Sequence, residues 1–480
     1  MINRYIMPKN GSSYIIPALL IVSLYTIYLL AIKGNIIIVL LFAILPAILL
    51  FTTVFSKKHY YFHVFFIVNY LIMGISRYVS MKTGIVMLGI TLGIWVIFLI
   101  KNIFQPYEWK RCLTLLTMAW VIWFIYCLLE LFNPLAVIEA WNIAIAGYAL
   151  LPLLCAIIVP ILFTKFNSFK WLLIIWAFLT LLAAFKGYWQ KNHGFDATEI
   201  HWLFVEGGAK THIIHSGIRF FSFFSDAANY GISMGLSMTV FGISSFFVKP
   251  YWVKFLFWGA TIAAIYGLMI SGTRSAVVIP FVSLIAYTIL CKNMKHALLS
   301  GGLFIVVLLF LTQTNIGNGY AMIRRVRSTF NKEDASLQVR YINKEKMKPL
   351  MKDKPFGIGL GLSGKRSERF NVHEKLSKLP PDSLLTMYWI DTGIVGLSLY
   401  LTLLVLILTR SSYIAMFVIK NKHLKNITYS LIAGLSGTLV AAYVNDITTY
   451  PNGVIMSILF AFVFAAPYYD KELTQNEQTT

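Results

Sequence analysis

Four residues have the types and settings that suit chemistry on an anionic substrate: Arg219, Arg274, Arg340 and Asp382. Arg274 lies in the stretch SGTRSA (271–276), and between Lys254 and Lys292 it is the sole charged side chain. A guanidinium at the turn between two apolar runs, beside the N–H groups and positive dipole end of the next helix, makes an anion site, with Ser271 and Thr273 placed to cap that helix. The same spacing also fits an arginine snorkelling from a helix end. Arg219 opens RFFSFFSDAANYG (219–231) among aromatics of the kind found at a membrane interface, so it reads as an anion ligand or an interface anchor. Arg340 falls in QVRYINKEKMKPLMK (338–352), where a solvated basic face is expected in any case. Asp382 follows Pro380 and Pro381 and precedes an apolar run, which suits a helix cap, a general base toward a hydroxyl, or both.

Other polar residues give further candidates. KPFGIGLGLSG (354–364) places Gly357, Gly359, Gly361 and Gly364 where backbone can approach a ligand closely, and no preceding strand makes it a nucleotide fingerprint. His193, His201, His212 and His215 share one loop with Asp196, Glu199 and Glu206, yet no pair has the close helical spacing and third ligand of a metal site. Glu206, His212 and His215 therefore stand with Asp382 as candidates for a general base. No cofactor is expected, and no GxxxxGK[ST] loop is present for nucleotide phosphates.

The elements that must position these residues are membrane spans. Of 480 residues, 58% are hydrophobic and 12% charged, whereas a soluble surface needs roughly twice that charged fraction. The expected class is all-α, a polytopic integral membrane protein. Apolar runs able to cross about 30 Å of hydrocarbon fall near 14–32, 36–55, 61–76, 84–100, 112–131, 141–164, 170–187, 226–247, 252–270, 275–290, 297–313, 384–408, 427–443 and 452–468. The first is too long, and lacks the cleavage site, for a signal peptide. Cys112, Cys127, Cys155 and Cys291 lie in or beside these runs and read as apolar fillers.

Lysines and arginines collect on alternate connectors: Lys57 and Lys58; Lys101, Lys110 and Arg111; Lys165 and Lys170; Lys249 and Lys254; Lys292 and Lys295; Arg410, Lys420, Lys422 and Lys425. By the positive-inside rule both termini are then cytoplasmic and the span count is even, about fourteen, with twelve the next even number. Residues 188–225, the Arg274 turn and 314–383 are external. The last segment holds fifteen Lys/Arg against seven Asp/Glu, an excess that long loops carry across regardless and that suits an anionic ligand near lipid, such as pyrophosphate. Nucleic acid is excluded by the external face and the lack of any nucleic-acid module. Three regions follow: 1–187, a transmembrane scaffold; 188–408, a region of spans and external loops holding the candidate chemistry; and 409–480, closing helices and a polar tail. Within 338–352, Val339, Ile342, Met347, Leu350 and Met351 recur at helical spacing on a basic background, as in a helix lying on the outer leaflet, with Pro349 ending or kinking it.

Three stretches resemble conserved blocks of the O-antigen ligase and polymerase superfamily. They are Arg219 with FFSFFSDAANYG; SGTRSA; and the run from Arg340 through KPFGIGLG to PPDSLLTMYWIDTGIVGLSLYL, whose final span carries Gly393 and Gly396. The resemblance covers roughly 215–408. It implies a glycosyltransferase of the C-type (GT-C) architecture in the bacterial cytoplasmic membrane, working at the external face without metal on a polyprenyl diphosphate-linked glycan donor and acceptor. It further implies that Arg219, Arg274 and Arg340 bind the diphosphate, with Gly357, Gly359, Gly361 and His215 lining the substrate, and that a flippase and a chain-length regulator are partners alongside membrane lipids. Where the ligase branch has histidine, this chain has Asp382. The resemblance thus implies a polymerase of oligosaccharide repeat units, with a ligase of finished glycan as the alternative. A flippase or exporter of the same lipid-linked glycan also wants external arginines, but it generally needs charges along its path, and the spans here are nearly uncharged at their centres.

Overall fold

The computed structural model of the protein describes residues 60–79, 81–214, 217–292, 335–381 and 383–479, with isolated positions between 302 and 327. The expected spans near 14–32 and 36–55, most of 297–313, and the site candidates His215 and Asp382 lie outside the described residues. Nearly every described element is a helix, the backbone form that satisfies its own N–H and C=O groups inside hydrocarbon. In chain order these are α1 (Tyr60–Tyr78), α2 (Thr83–Phe104), α3 (Leu115–Leu129), α4 (Ile138–Leu162, with a π turn over Ala146–Leu150) and α5 (Phe166–His193). A short helix, α6 (Ala197–Phe204), leads to a two-stranded ribbon of β1 (Ile213–Ile214) and β2 (Gly217–Ile218), paired antiparallel with Ile213 opposite Ile218. Then follow α7 (Ala227–Ser244), α8 (Tyr251–Ser271), α9 (Arg274–Cys291), α10 (Ala335–Met351), α11 (Leu384–Tyr413), α12 (Lys422–Ala441) and α13 (Asn452–Thr479).

Every expected span from 61 onward that falls on described residues coincides with one of these helices. Eight helices among the described residues are long and apolar enough to cross a membrane. The molecule is thus an all-α, multi-pass membrane protein.

Helix α7 is almost wholly buried and packs on α8, α9 and α12. Lipid supplies no hydrophobic force between helices, so association needs close backbone contact, which small residues provide. A Cβ on Gly231 would stand 2.5 Å from Ser271 Oγ, and one on Gly437 2.5 Å from Ile279 O. These glycines set α7 against the turn before Arg274 and α12 against α9.

Helix α11 breaks at Gly393, whose φ of 67° and ψ of −171° are not helical. The break is filled from the loop that follows α10: Val395 N donates to Pro355 O (3.2 Å), while Ile358 N and Gly359 N donate to the carbonyls of Ile390 (2.9 Å) and Asp391 (3.0 Å). Backbone groups released by the kink are thereby satisfied, which is what a break inside a span requires. The loop has its own small core, in which Met347 and Met351 of α10 pack with Ile358, Leu362, Leu376 and Ile390. This revises the expected leaflet-bound helix. Pro349 sits in the last turn of α10, the methionines turn inward to the loop, and Val339 and Ile342 remain exposed together with Tyr341.

A Cβ at Gly393 would lie 2.0 Å from Pro355 O. Gly393→Ala is therefore expected to lower the apparent Tm of the detergent-solubilised protein, reflecting a loss of about 1–3 kcal/mol or more; an unchanged Tm would mean that the loop does not depend on the kink.

Candidate functional site

Arg219 leaves the ribbon and points back to the α8–α9 turn. Its backbone N–H donates to His212 O (2.8 Å), and its side chain donates from Nε to Ser271 O (3.3 Å), from Nη1 to Thr211 O (3.1 Å) and from Nη2 to Thr273 Oγ1 (3.0 Å). The Thr273 hydroxyl in turn donates to Ala227 O (2.8 Å) at the start of α7. Arg274 is the next residue and the first of α9. Arg219 is thus brought, through carbonyl and hydroxyl oxygens, to the turn that leads into Arg274, 55 positions on in sequence.

The local chemistry of that turn differs from the capping expected of Ser271 and Thr273. No side chain caps α9. Ser271 Oγ donates to Leu268 O (2.7 Å) and accepts from Thr273 N (3.2 Å), so both hydroxyls are engaged in fastening the turn to its neighbours. Buried hydroxyls that find both donor and acceptor partners fix geometry as well as satisfy burial.

Behind Arg219 sits Arg77 at the end of α1. It donates to the carbonyls of Ser222 (3.2 Å) and Phe224, and its guanidinium lies over the rings of Phe221 (4.3 Å) and Trp202 (4.6 Å). Backbone hydrogen bonds and stacking of this kind hold the aromatic segment 220–224 in place. Nothing in the local sequence ISRYVSMK marks that role.

His212, a candidate base, is buried and already occupied. Its Nε2 accepts from Ala227 N (3.0 Å), the first N–H of α7, and its Nδ1 donates to Gly208 O (2.9 Å). This pairing requires the neutral ring protonated on Nδ1, since a proton on Nε2 would face an N–H. Burial, aided by the nearby positive charges of Arg219 and Arg77, pulls the pKa down from 6.5 to about 4. His212 acts as a helix cap, and its lone pair is not offered to a substrate. Glu206 is exposed and stands 3.7 Å from His201 Nδ1.

Arg340 lies on α10 over a separate cavity of about 110 Å3, shared with Tyr341, Lys344, Ser383, Thr386 and Tyr443. Ser383 is the N-cap of α11, accepting from Thr386 N (3.1 Å). The cap position considered for Asp382 therefore belongs to its neighbour. Leu384 N donates to Asn445 O (3.1 Å), and Asn445 Nδ2 donates to Ser275 Oγ (2.5 Å), directly after Arg274. A continuous line of bonded residues so runs from Arg219 through Thr273, Arg274, Ser275 and Asn445 to the Ser383 end of the Arg340 cavity. Asn445 comes from 409–480, the stretch taken as closing helices. Asn452, at the start of α13, likewise donates to Asn229 O (3.0 Å) and Oδ1 (3.1 Å) on α7.

The glycine loop is held by Asp391, buried at the α11 break. Its carboxylate accepts from Tyr148 Oη (2.5 Å), Gly361 N (3.0 Å) and Ser363 Oγ (3.4 Å). Space opposite the glycines is filled by the chain itself. A Cβ on Gly357 would meet Asp391 O at 2.5 Å, one on Gly359 would meet Ala136 Cα at 2.7 Å, and one on Gly361 would meet Ala140 O at 2.7 Å. Gly357, Gly359 and Gly361 therefore let loop approach helix, and what they add to a site comes through the loop they position.

Residues 259–401 match the O-antigen ligase family. The match supports kinship of this region with the O-antigen ligase and polymerase superfamily. The matched stretch contains Arg274, Arg340, the glycine loop and Asp382, while Arg219 stands before it and is joined to it by the bonds to Ser271 and Thr273. No curated protein and no solved structure matches the chain. The family supports handling of lipid-linked glycan by a membrane enzyme.

Neutral His212 gives a signed pH dependence. The opened loop binds a proton below about pH 6.5 and the closed loop only near pH 4, so the closed form is fully stable above 6.5 and weakens as pH falls toward 4, by up to about 3 kcal/mol. Hydrogen-exchange protection of the Ala227 amide should fall over that window and flatten in His212→Asn; protection independent of pH would disprove the capping role.

Proposed function

We propose that the protein polymerises polyprenyl diphosphate-linked oligosaccharide repeat units at the external face of the bacterial cytoplasmic membrane, with both termini cytoplasmic and with GT-C-like architecture. One observation carries the reading: Arg219 and Arg274 converge on a single turn joined to an O-antigen ligase-type region. The growing glycan is transferred from its carrier to a hydroxyl of a new lipid-linked unit. The bond from the anomeric carbon to the diphosphate oxygen breaks, and polyprenyl diphosphate leaves. Guanidinium groups of Arg219, Arg274 and Arg340 pair with the diphosphate and favour the charge it gains as it departs, without a metal. Asp382, next to the Ser383 cap, accepts the proton of the attacking hydroxyl. His215 and the loop carrying Gly357, Gly359 and Gly361 close around the substrate.

The description of the matched family favours a second reading, transfer of finished glycan to a lipid or protein acceptor. The absence of histidine at Asp382 supports the polymerase over it.

The test is a gel of surface glycan from a deletion strain complemented with wild type, Arg274→Ala or Arg274→Lys at equal membrane levels. Arg274→Ala is expected to cut chain formation by about 100-fold or more, with only partial recovery in lysine, which lacks the planar fork. Single repeats remaining after deletion support the polymerase and exclude a flippase, whereas full-length chains on the polyprenyl carrier support the ligase. Unchanged chain length in Arg274→Ala would end the catalytic assignment.

A further inference from the structure

A cavity of about 240 Å3 lies beyond the Arg340 cavity, lined among others by Tyr148, Arg369, Phe370, Thr448, Thr449 and Tyr450. One short connector, between α12 and α13, separates the two: Tyr443 and Val444 line the Arg340 cavity, and Thr448, Thr449 and Tyr450 line the larger one. We propose that this larger cavity is the subsite for the acceptor glycan, an inference that rests on the glycan-transfer reading above.

The lining fits a pyranose. A sugar ring presents apolar C–H faces and a rim of hydroxyls, so it is matched by aromatic walls with a few convergent polar groups. Tyr148, Phe370 and Tyr450 supply the walls. Arg369 supplies donors only. Thr448 Oγ1 and Thr449 Oγ1 already donate to the two carboxylate oxygens of Asp446, at 2.6 Å and 3.1 Å. With their single hydrogens committed to Asp446, both threonines present lone pairs, and the pair accepts from sugar hydroxyls while Arg369 donates to sugar oxygens. The volume is slightly below that of pockets for drug-sized ligands, a size for a sugar terminus and not for a lipid.

The places of the three arginines proposed for the donor assign this space to the acceptor. The reacting sugar of the donor is bonded directly to the diphosphate and must sit beside the guanidiniums that bind it. None of Arg219, Arg274 and Arg340 lines this cavity. A sugar bound there has its own diphosphate elsewhere, as the non-reducing end of a lipid-linked acceptor does.

The test uses the full chain in nanodiscs and, as probe, the single repeat unit released from its lipid by mild acid, so that it carries no diphosphate. Binding is followed by saturation-transfer NMR for wild type, Arg369→Ala, Thr449→Val and Arg274→Ala. Wild type should bind, Arg369→Ala and Thr449→Val should each weaken binding by about fivefold or more, and Arg274→Ala should leave it unchanged. Failure of wild type to bind, equal affinity in Arg369→Ala and Thr449→Val, or loss in Arg274→Ala alone would each overturn the subsite. Binding of undecaprenyl diphosphate to the same variants keeps the two readings apart: insensitivity to Arg274→Ala there removes the donor assignment, whatever the sugar does.

Discussion

The Thr273 hydroxyl is the joint on which the site depends. It has one hydrogen, given to Ala227 O, and it accepts one from Arg219 Nη2. The residue is buried, and a buried hydroxyl left without a partner costs about 1–3 kcal/mol. The start of α7, the Arg219 segment and the start of α9 therefore all meet at this one oxygen, with Arg219 Nε on Ser271 O and His212 on the Ala227 N–H as further ties. Close approach at Gly231 makes this joint reachable, since any side chain there would push the 271–273 turn away.

Two guanidiniums drawn to one turn repel, and the repulsion grows where the surroundings are less polar than water. The chain holds Arg219 with carbonyl and hydroxyl oxygens, which orient it. On the proposed reading, a dianionic group arriving between such residues would gain attraction and relieve repulsion at once. Preorganised charge of this kind costs no rearrangement at the moment of reaction.

Much of this was legible in the sequence because lipid leaves few options. Apolar runs of span length had to be helices, and their positions were readable to within a few residues, as in α8 and α9. Arg274 stood out for a similar reason, being alone among apolar neighbours. What was not legible depends on partners distant in sequence. Arg77 gains its meaning only from the carbonyls of Ser222 and Phe224, and Asn445 only from Ser275 and Leu384. His212 was visible as a titratable residue, yet its use as a cap is set by the Ala227 N–H, which no spacing rule connects to it. Asp391 was hidden inside an otherwise apolar span, and the glycines were read as facing a ligand when their space is taken by α11 and α4.

The break at Gly393 divides α11 into unequal parts. The outer segment, 384–392, is tied to the glycine loop through Ile390 and Asp391 and to the α12–α13 connector through Leu384. The inner segment, 394–413, continues toward lipid, with Ile394, Leu401, Val405 and Leu406 exposed along it. Across a straight helix, any tilt forced by a thicker or thinner bilayer would be carried rigidly to its tip. A glycine joint lets the inner rod lean while the outer stub stays with the loop, so the Ser383 end is insulated from the mechanics of the membrane that carries it.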